Sequence, residues 1–143
     1  MKTLTRNIIM SAIMLLAMGT GSAVAQQLRD ANYNIVGKIA ANGTVRNSNY
    51  DPIGYFNTDG TIANAKSKTV GRIDAKMQIF NKEGVRIGYI NADGSVYDGE
   101  SKPLGEIEVK SGKVTTPTGE VLGFANGISI QRVAAYYFSD FFK

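Results

Sequence analysis

An apolar residue followed by glycine recurs at Val36-Gly37, Ile53-Gly54, Val70-Gly71, Ile87-Gly88, Leu104-Gly105 and Leu122-Gly123. The glycines are 17 residues apart four times and 18 apart once. Two residues after each stands a second apolar column: Ile39, Phe56, Ile73, Ile90, Ile107 and the smaller Ala125. A third column closes the units at Val45, Ile62, Ile79, Val96 and Val114. The two best-matched stretches, IGYFNTDGTI at 53–62 and IGYINADGSV at 87–96, differ mainly by conservative changes. A fixed period with aligned apolar columns marks a repeat architecture, in which each unit buries its apolar face only against its neighbours.

Within a unit, a turn separates the second and third columns. Asn57-Thr58-Asp59-Gly60 and Asn91-Ala92-Asp93-Gly94 suit tight hairpins, because Asp or Asn favours the turn and Gly accepts a positive φ. Ala40-Ala41-Asn42-Gly43 fits the same pattern, and Ser111-Gly112 lies near the insertion that produces the 18-residue spacing. The third unit departs: Asp74-Ala75-Lys76-Met77 has no glycine, so a different turn or local strain is expected at Met77. The apolar columns are rich in β-branched residues, which favour strands. Each unit is therefore read as a short hairpin followed by a looser link. A lone hairpin of this size is not stable in water, so the hairpins must pack together. The recurrent glycine is read as a close backbone approach.

Both ends carry fragments of the pattern. Leu28-Arg29-Asp30 reads as a second strand lacking its first, and Leu122-Gly123-Phe124 as a first strand. Complementary fragments predict an all-β, propeller-like ring of radially arranged hairpins closed by its terminal segments, which removes exposed edges. Five or six hairpins both fit the spacing. The segment 134–143 holds five of the thirteen aromatic residues. It is expected to pack over one mouth of the ring as a helical turn or strand, with a partner-docking segment as the alternative.

The apolar-Gly-x-apolar units of 17 residues, their Asx-Gly turns and the aromatic C-terminal stretch resemble the five-fold β-flower family of small exported bacterial proteins. The resemblance covers roughly 28–143. It implies a fold of radially arranged short β-hairpins, with no assigned activity and no catalytic motif to carry over.

Residues 1–25 read as a secretory signal peptide: Lys2 and Arg6 precede the apolar run Ile8 to Met18, and Ala23-Val24-Ala25 has the Ala-x-Ala form of a cleavage site. The run is too short to span a bilayer. The expected product is a single domain, 26–143, exported to the periplasm or cell exterior without a transmembrane segment. The absence of cysteine excludes a lipoprotein anchor and disulfides. Fourteen of the sixteen basic residues and all twelve acids follow residue 25, leaving a net charge of +2 with both signs interspersed. That pattern gives nucleic-acid binding no support.

The absence of histidine and cysteine removes Ser-His and Cys-His catalysis and the commonest transition-metal ligands. No glycine-rich nucleotide loop occurs, and no cofactor is expected. The Asx-Gly turns do not continue as calcium-binding loops. Asp51, Asp59, Asp93, Glu100, Glu106 and Glu108 show no pairing that marks an acid hydrolase. The polar column Asp30, Asn47, Asn64, Asn81 and Asp98 reads as turn caps, with a weak ion site as a lesser reading should ring closure bring its members together. The expected function is that of a non-enzymatic structural or interaction protein with a protein or polysaccharide partner. The alternative is a carbohydrate-binding repeat module, with Tyr55, Tyr89 and Tyr97 as candidate ligand-binding residues. Against it stand the lack of tryptophan and the placement of Lys38, Arg72 and Glu106 where an aromatic should recur.

Overall fold

In a computed structural model, residues 26–143 are described, and the signal-peptide reading of 1–25 lies outside them. Twelve strands of three to five residues succeed one another: β1 (Gln27–Asp30), β2 (Ile35–Ile39), β3 (Thr44–Asn47), β4 (Pro52–Phe56), β5 (Thr61–Asn64), β6 (Thr69–Ile73), β7 (Gln78–Asn81), β8 (Arg86–Ile90), β9 (Ser95–Asp98), β10 (Pro103–Ile107), β11 (Lys113–Thr115) and β12 (Val121–Phe124). Each is antiparallel to its sequence neighbours, and β12 returns to β1, so the sheet closes into a barrel. Five hairpins are continuous in sequence. The sixth is assembled from β12 and β1, with Arg29 opposite Phe124 and Asp30 opposite Gly123. Where the spacing fits five or six hairpins, the wall contains six.

Six β-bulges shape this wall. Opposite Leu28 and Arg29, β2 presents Gly37 and then Ile35, leaving Val36 unpaired. The same slip skips Ile53, Val70, Ile87, Leu104 and Leu122. The first apolar column is thus a column of bulged residues. A bulge breaks strict alternation and raises local twist, which helps short strands curve into a ring. All six bulged side chains pack against the buried cluster formed by the other two columns.

A twelve-stranded barrel is wider than side chains from its wall can fill, since about eight strands set that limit. The lumen is occupied by helix α1 (Ile130–Phe138), whose Val133, Ala134 and Ala135 are fully buried. Nine residues are too few for a stable isolated helix, so α1 exists through its packing. Its small residues narrow it where the wall surrounds it. The C-terminal segment does pack, as expected, but inside the ring rather than over one mouth.

The wall glycines make room for the aromatic side chains at the end of this helix and just beyond it. A methyl group built on Gly71 would lie 2.6 Å from Phe141, on Gly105 2.7 Å from Phe138, and on Gly123 2.7 Å from the Tyr137 hydroxyl. On Gly54 it would overlap the Phe142 ring, and on Gly37 it would sit 3.6 Å from the Tyr136 hydroxyl. Five aromatics therefore rest on five of the six repeat glycines. A backbone carbonyl of the facing strand crowds all six positions as well, and at Gly88 that carbonyl, of Tyr97 at 2.8 Å, is the only close contact. Tyr137 also latches the seam: its hydroxyl donates to the Arg29 carbonyl at 2.7 Å and lies 3.4 Å from that of Phe124, the pair that faces across β1 and β12.

The turns fall into two rings, one at each mouth. At the inner turns, within the five continuous hairpins, Gly43, Gly60, Met77, Gly94 and Gly112 all have φ between 62° and 98°. Each of their carbonyls accepts a hydrogen bond from the next hairpin, from Phe56, Ile73, Ile90, Ile107 and Ala125 N–H in turn. The third unit solves its missing glycine by another design. Asp74 accepts from Lys76 and Gln78 N–H with Met77 left-handed, as Asn47 accepts from Asn49 and Asp51 with Tyr50 left-handed in an outer turn. Met77 packs against the core in return.

Gly84 and Gly94 separate conformational strain from crowding. Both are left-handed, but a Cβ on Gly84 meets nothing within 4 Å whereas one on Gly94 meets the Ile107 carbonyl. Gly84→Ala should cost about 1 kcal/mol and Gly94→Ala about 3 kcal/mol in urea denaturation. Equal losses would refute the crowding argument. Tyr137→Phe should cost about 1 kcal/mol, the value of one hydrogen bond, with hydrogen exchange accelerated first in β1 and β12.

Candidate functional site

With the lumen filled, the outer wall, the two mouths and their turns are the surfaces available to a ligand. Side chains that follow the repeat glycine point outward and pair with the next strand: Lys38 with Arg46, Tyr55 with Ala63, Arg72 with Phe80, Tyr89 with Tyr97, and Glu106 with Thr115. Tyr89 and Tyr97 are brought together, their rings stacked with centroids 5.1 Å apart and planes 18° from parallel. Tyr55 lies two hairpins away, opposite a buried alanine. The three candidates therefore do not form one site.

The Tyr89–Tyr97 pair continues a stripe across four strands. Arg72 lies 4.1 Å from the Phe80 centroid and Arg86 4.9 Å from that of Tyr89. Arg86 also donates to the Gln78 side chain at 3.3 Å and to the Gly99 carbonyl at 3.2 Å, while the Tyr89 hydroxyl donates to Ser101 at 3.0 Å. Tyr89 thus already has an aromatic neighbour, a guanidinium over its ring and a partner for its hydroxyl. Such cross-strand pairs stabilise a sheet by a few tenths to 1 kcal/mol each.

At the inner-turn mouth, clefts of about 200 and 350 Å³ flank the start of α1, and Ser129, Gln131 and Arg132 line both. Arg132 stands 5.4 Å from the Phe56 ring centroid. Near the other end of the helix, a pocket of about 230 Å³ is bounded by Leu122, Tyr136, Tyr137, Phe142 and Lys143. No three carboxylates among the described residues stand together as metal ligands. No helix among them is long and apolar enough to cross a membrane.

The polar column caps the outer turns as read from the sequence. Asp30, Asn47, Asn64, Asn81 and Asp98 each accept from the backbone N–H groups two and four residues on. At the inner turns Asp59 and Asp93 accept from Thr61 and Ser95. These bonds hold their carboxyls below the usual range: at Asp59 mainly the Thr61 hydroxyl, at Asp93 the Ser95 N–H, and at Asp98 the Lys102 N–H. At Asp74 burial pushes upward, but the bonds from Gln78 and Lys76 overcome it. Burial raises the Tyr137 hydroxyl well above the ordinary phenol range.

The sequence reading passes over Tyr33 and Tyr50. The column four residues before each repeat glycine reads Tyr33, Tyr50, Ser67, Gly84, Ser101 and Gly119, and all six are left-handed. Two bulky side chains in a column otherwise held by Ser and Gly are the available signal.

The depressed aspartates predict the acid limb of stability. Their folded-state pKa lies below the unfolded value near 4, so their contribution is full above that pH and is lost as pH falls through the folded value. Asp59→Asn/Asp93→Asn/Asp98→Asn keeps the capping oxygens, as Asn42, Asn47 and Asn81 do in other turns. The variant should melt near the parent at pH 7 and lose less between pH 5 and 2. An unchanged acid limb would refute the assignment.

No curated protein matches the sequence. The family model described as 5-fold beta-flower protein matches residues 20–143, which includes every strand of the barrel and the helix inside it. The chain belongs to the 5-fold beta-flower family.

Proposed function

We propose that the protein is an exported, non-enzymatic interaction module of the periplasm or cell exterior, which offers its outer surface to a protein or polysaccharide partner. The observation that supports this most is the filled barrel. With α1 inside and its Val133, Ala134 and Ala135 fully buried, the lumen offers no room for a ligand, so recognition falls to the outer wall and the rims. Asp30, Asp59, Asp74, Asp93 and Asp98 are engaged with turn backbone, which favours a role in holding the rim over a role in proton transfer. The signal-like residues 1–25 and the cysteine-free composition suit an envelope or extracellular protein that needs neither a lipid anchor nor disulfides.

The test uses the full chain, leader included, expressed in its native cell. Fractionation should recover it outside the cytoplasm with Gln26 as its first residue. Crosslinking in the intact envelope should then give a discrete adduct. Recovery in the cytoplasm with residues 1–25 attached would overturn export, and turnover of a substrate by the purified protein would overturn the non-enzymatic assignment.

A further inference from the structure

We infer that Tyr33 and Tyr50 form a double binding site for a polysaccharide chain on the outer-turn rim. The inference rests on the interaction-module reading and gives it a place and a ligand class.

The two outer turns that carry these residues are near copies. Arg29-Asp30-Ala31-Asn32-Tyr33-Asn34 links β1 to β2, and Arg46-Asn47-Ser48-Asn49-Tyr50-Asp51 links β3 to β4. In each, the arginine donates to the tyrosine carbonyl at 2.8 Å, and the Asx residue accepts from the N–H groups two and four positions on. In the other four outer turns the arginine position holds Ala63, Phe80, Tyr97 or Thr115 and the tyrosine position Ser67, Gly84, Ser101 or Gly119.

Both tyrosines are held in a strained backbone conformation and left in water. Their φ values are 68° and 67°, a region that side-chain-bearing residues adopt with strain and that Ser or Gly fills in the other turns. Tyr33 is 59% exposed and Tyr50 64% exposed, and Ile35 at the start of β2 is 47% exposed. Tyr33 has Arg29 4.4 Å from its centroid and Phe124 edge-on at 5.1 Å, yet keeps most of its surface free. Neither the fold nor the core gains from the exposed part of these rings.

The surroundings select the ligand. Asn32, Asn34, Ser48 and Asn49 are the sequence neighbours of the two tyrosines, so each turn joins an aromatic residue to amide or hydroxyl side chains, the pairing that suits the apolar faces and equatorial hydroxyls of sugars. Each turn carries one arginine and one aspartate, Arg29 with Asp30 and Arg46 with Asp51, so neither sign of charge dominates. That favours an uncharged polymer over an acidic one. Adjacent outer turns are two strand spacings apart, roughly 10 Å, close to the length of one disaccharide. Two near-identical turns at that separation match a polymer that repeats, with one turn per disaccharide.

The experiment is co-sedimentation of the mature protein with cellulose, chitin and purified peptidoglycan, with calorimetry against soluble cello- and chito-oligosaccharides. At least one glycan should bind saturably, and a hexasaccharide should bind at least tenfold more tightly than a disaccharide. Tyr33→Ser/Tyr50→Gly uses residues the other turns already hold, so the barrel should still melt cooperatively while binding falls more than tenfold. Binding by a folded protein that survives this double change but is lost in Tyr89→Ala/Tyr97→Ala would overturn the site and keep the interaction-module reading. No binding to any of these glycans would overturn the ligand class, and a protein adduct in the envelope would still support the module. If the double variant fails to fold, Tyr50→Gly alone must weaken hexasaccharide binding, or the inference falls.

Discussion

The dependence that organises this molecule is between the width of its wall and the helix that fills it. Twelve strands of three to five residues make a short, wide ring whose own side chains cannot meet across the middle. The ring therefore requires an occupant, and the chain supplies α1. An occupant of helical diameter, about 10–12 Å with side chains, fits only where the wall recedes. Ala134 and Ala135 thin the helix, and the repeat glycines thin the wall. Five of the six recurring glycines are thus the wall's half of a contact whose other half lies at residues 136–142, and all six also admit the carbonyl of the facing strand.

That dependence explains which parts of the fold are legible in the sequence. The hairpins, their turns and the closing of β12 on β1 derive from columns that can be counted, because a strand needs an apolar residue at a fixed place and a tight turn needs Asx or Gly. The count of hairpins is ambiguous only because the two halves of the sixth stand at opposite ends of the barrel sequence. The position of α1 is not countable. Periodicity describes how like units contact one another, and the helix occurs once. The aromatics of 136–142 announce that this stretch must be buried, but nothing local says whether such a segment covers a mouth or enters the lumen. The choice depends on strand number, a property of the closed ring.

The candidate site is less legible for a related reason. Tyr55 and Tyr89 draw notice because they stand in the same column, yet a shared column in a ring guarantees separation. Like positions in successive hairpins sit about two strands apart, and Tyr55 and Tyr89 are separated by an intervening hairpin. Tyr97 meets Tyr89 because the two are opposite each other within one hairpin. In a closed repeat, side chains converge through cross-strand register or through a residue outside the repeat, as Tyr137 joins Arg29 to Phe124.

Departures from the repeat then carry what the repeat itself cannot say, and two of them admit a direct comparison. Met77 occupies a left-handed position where its equivalents are glycine, and its strain is offset: Asp74 recasts the turn and the methionine side chain packs on the core. Tyr50 occupies a left-handed position where its equivalents include serine and glycine, with the same Asx capping, but its ring is 64% exposed. The conformational strain is similar, and burial offsets part of it only at Met77. A residue whose strain is offset inside the fold needs no further explanation. Tyr50 leaves most of its ring uncovered by the fold, which is the ground for seeking its contact outside, whereas Tyr33 on the neighbouring turn is compensated in part by the Arg29 guanidinium over its ring and by the edge of Phe124.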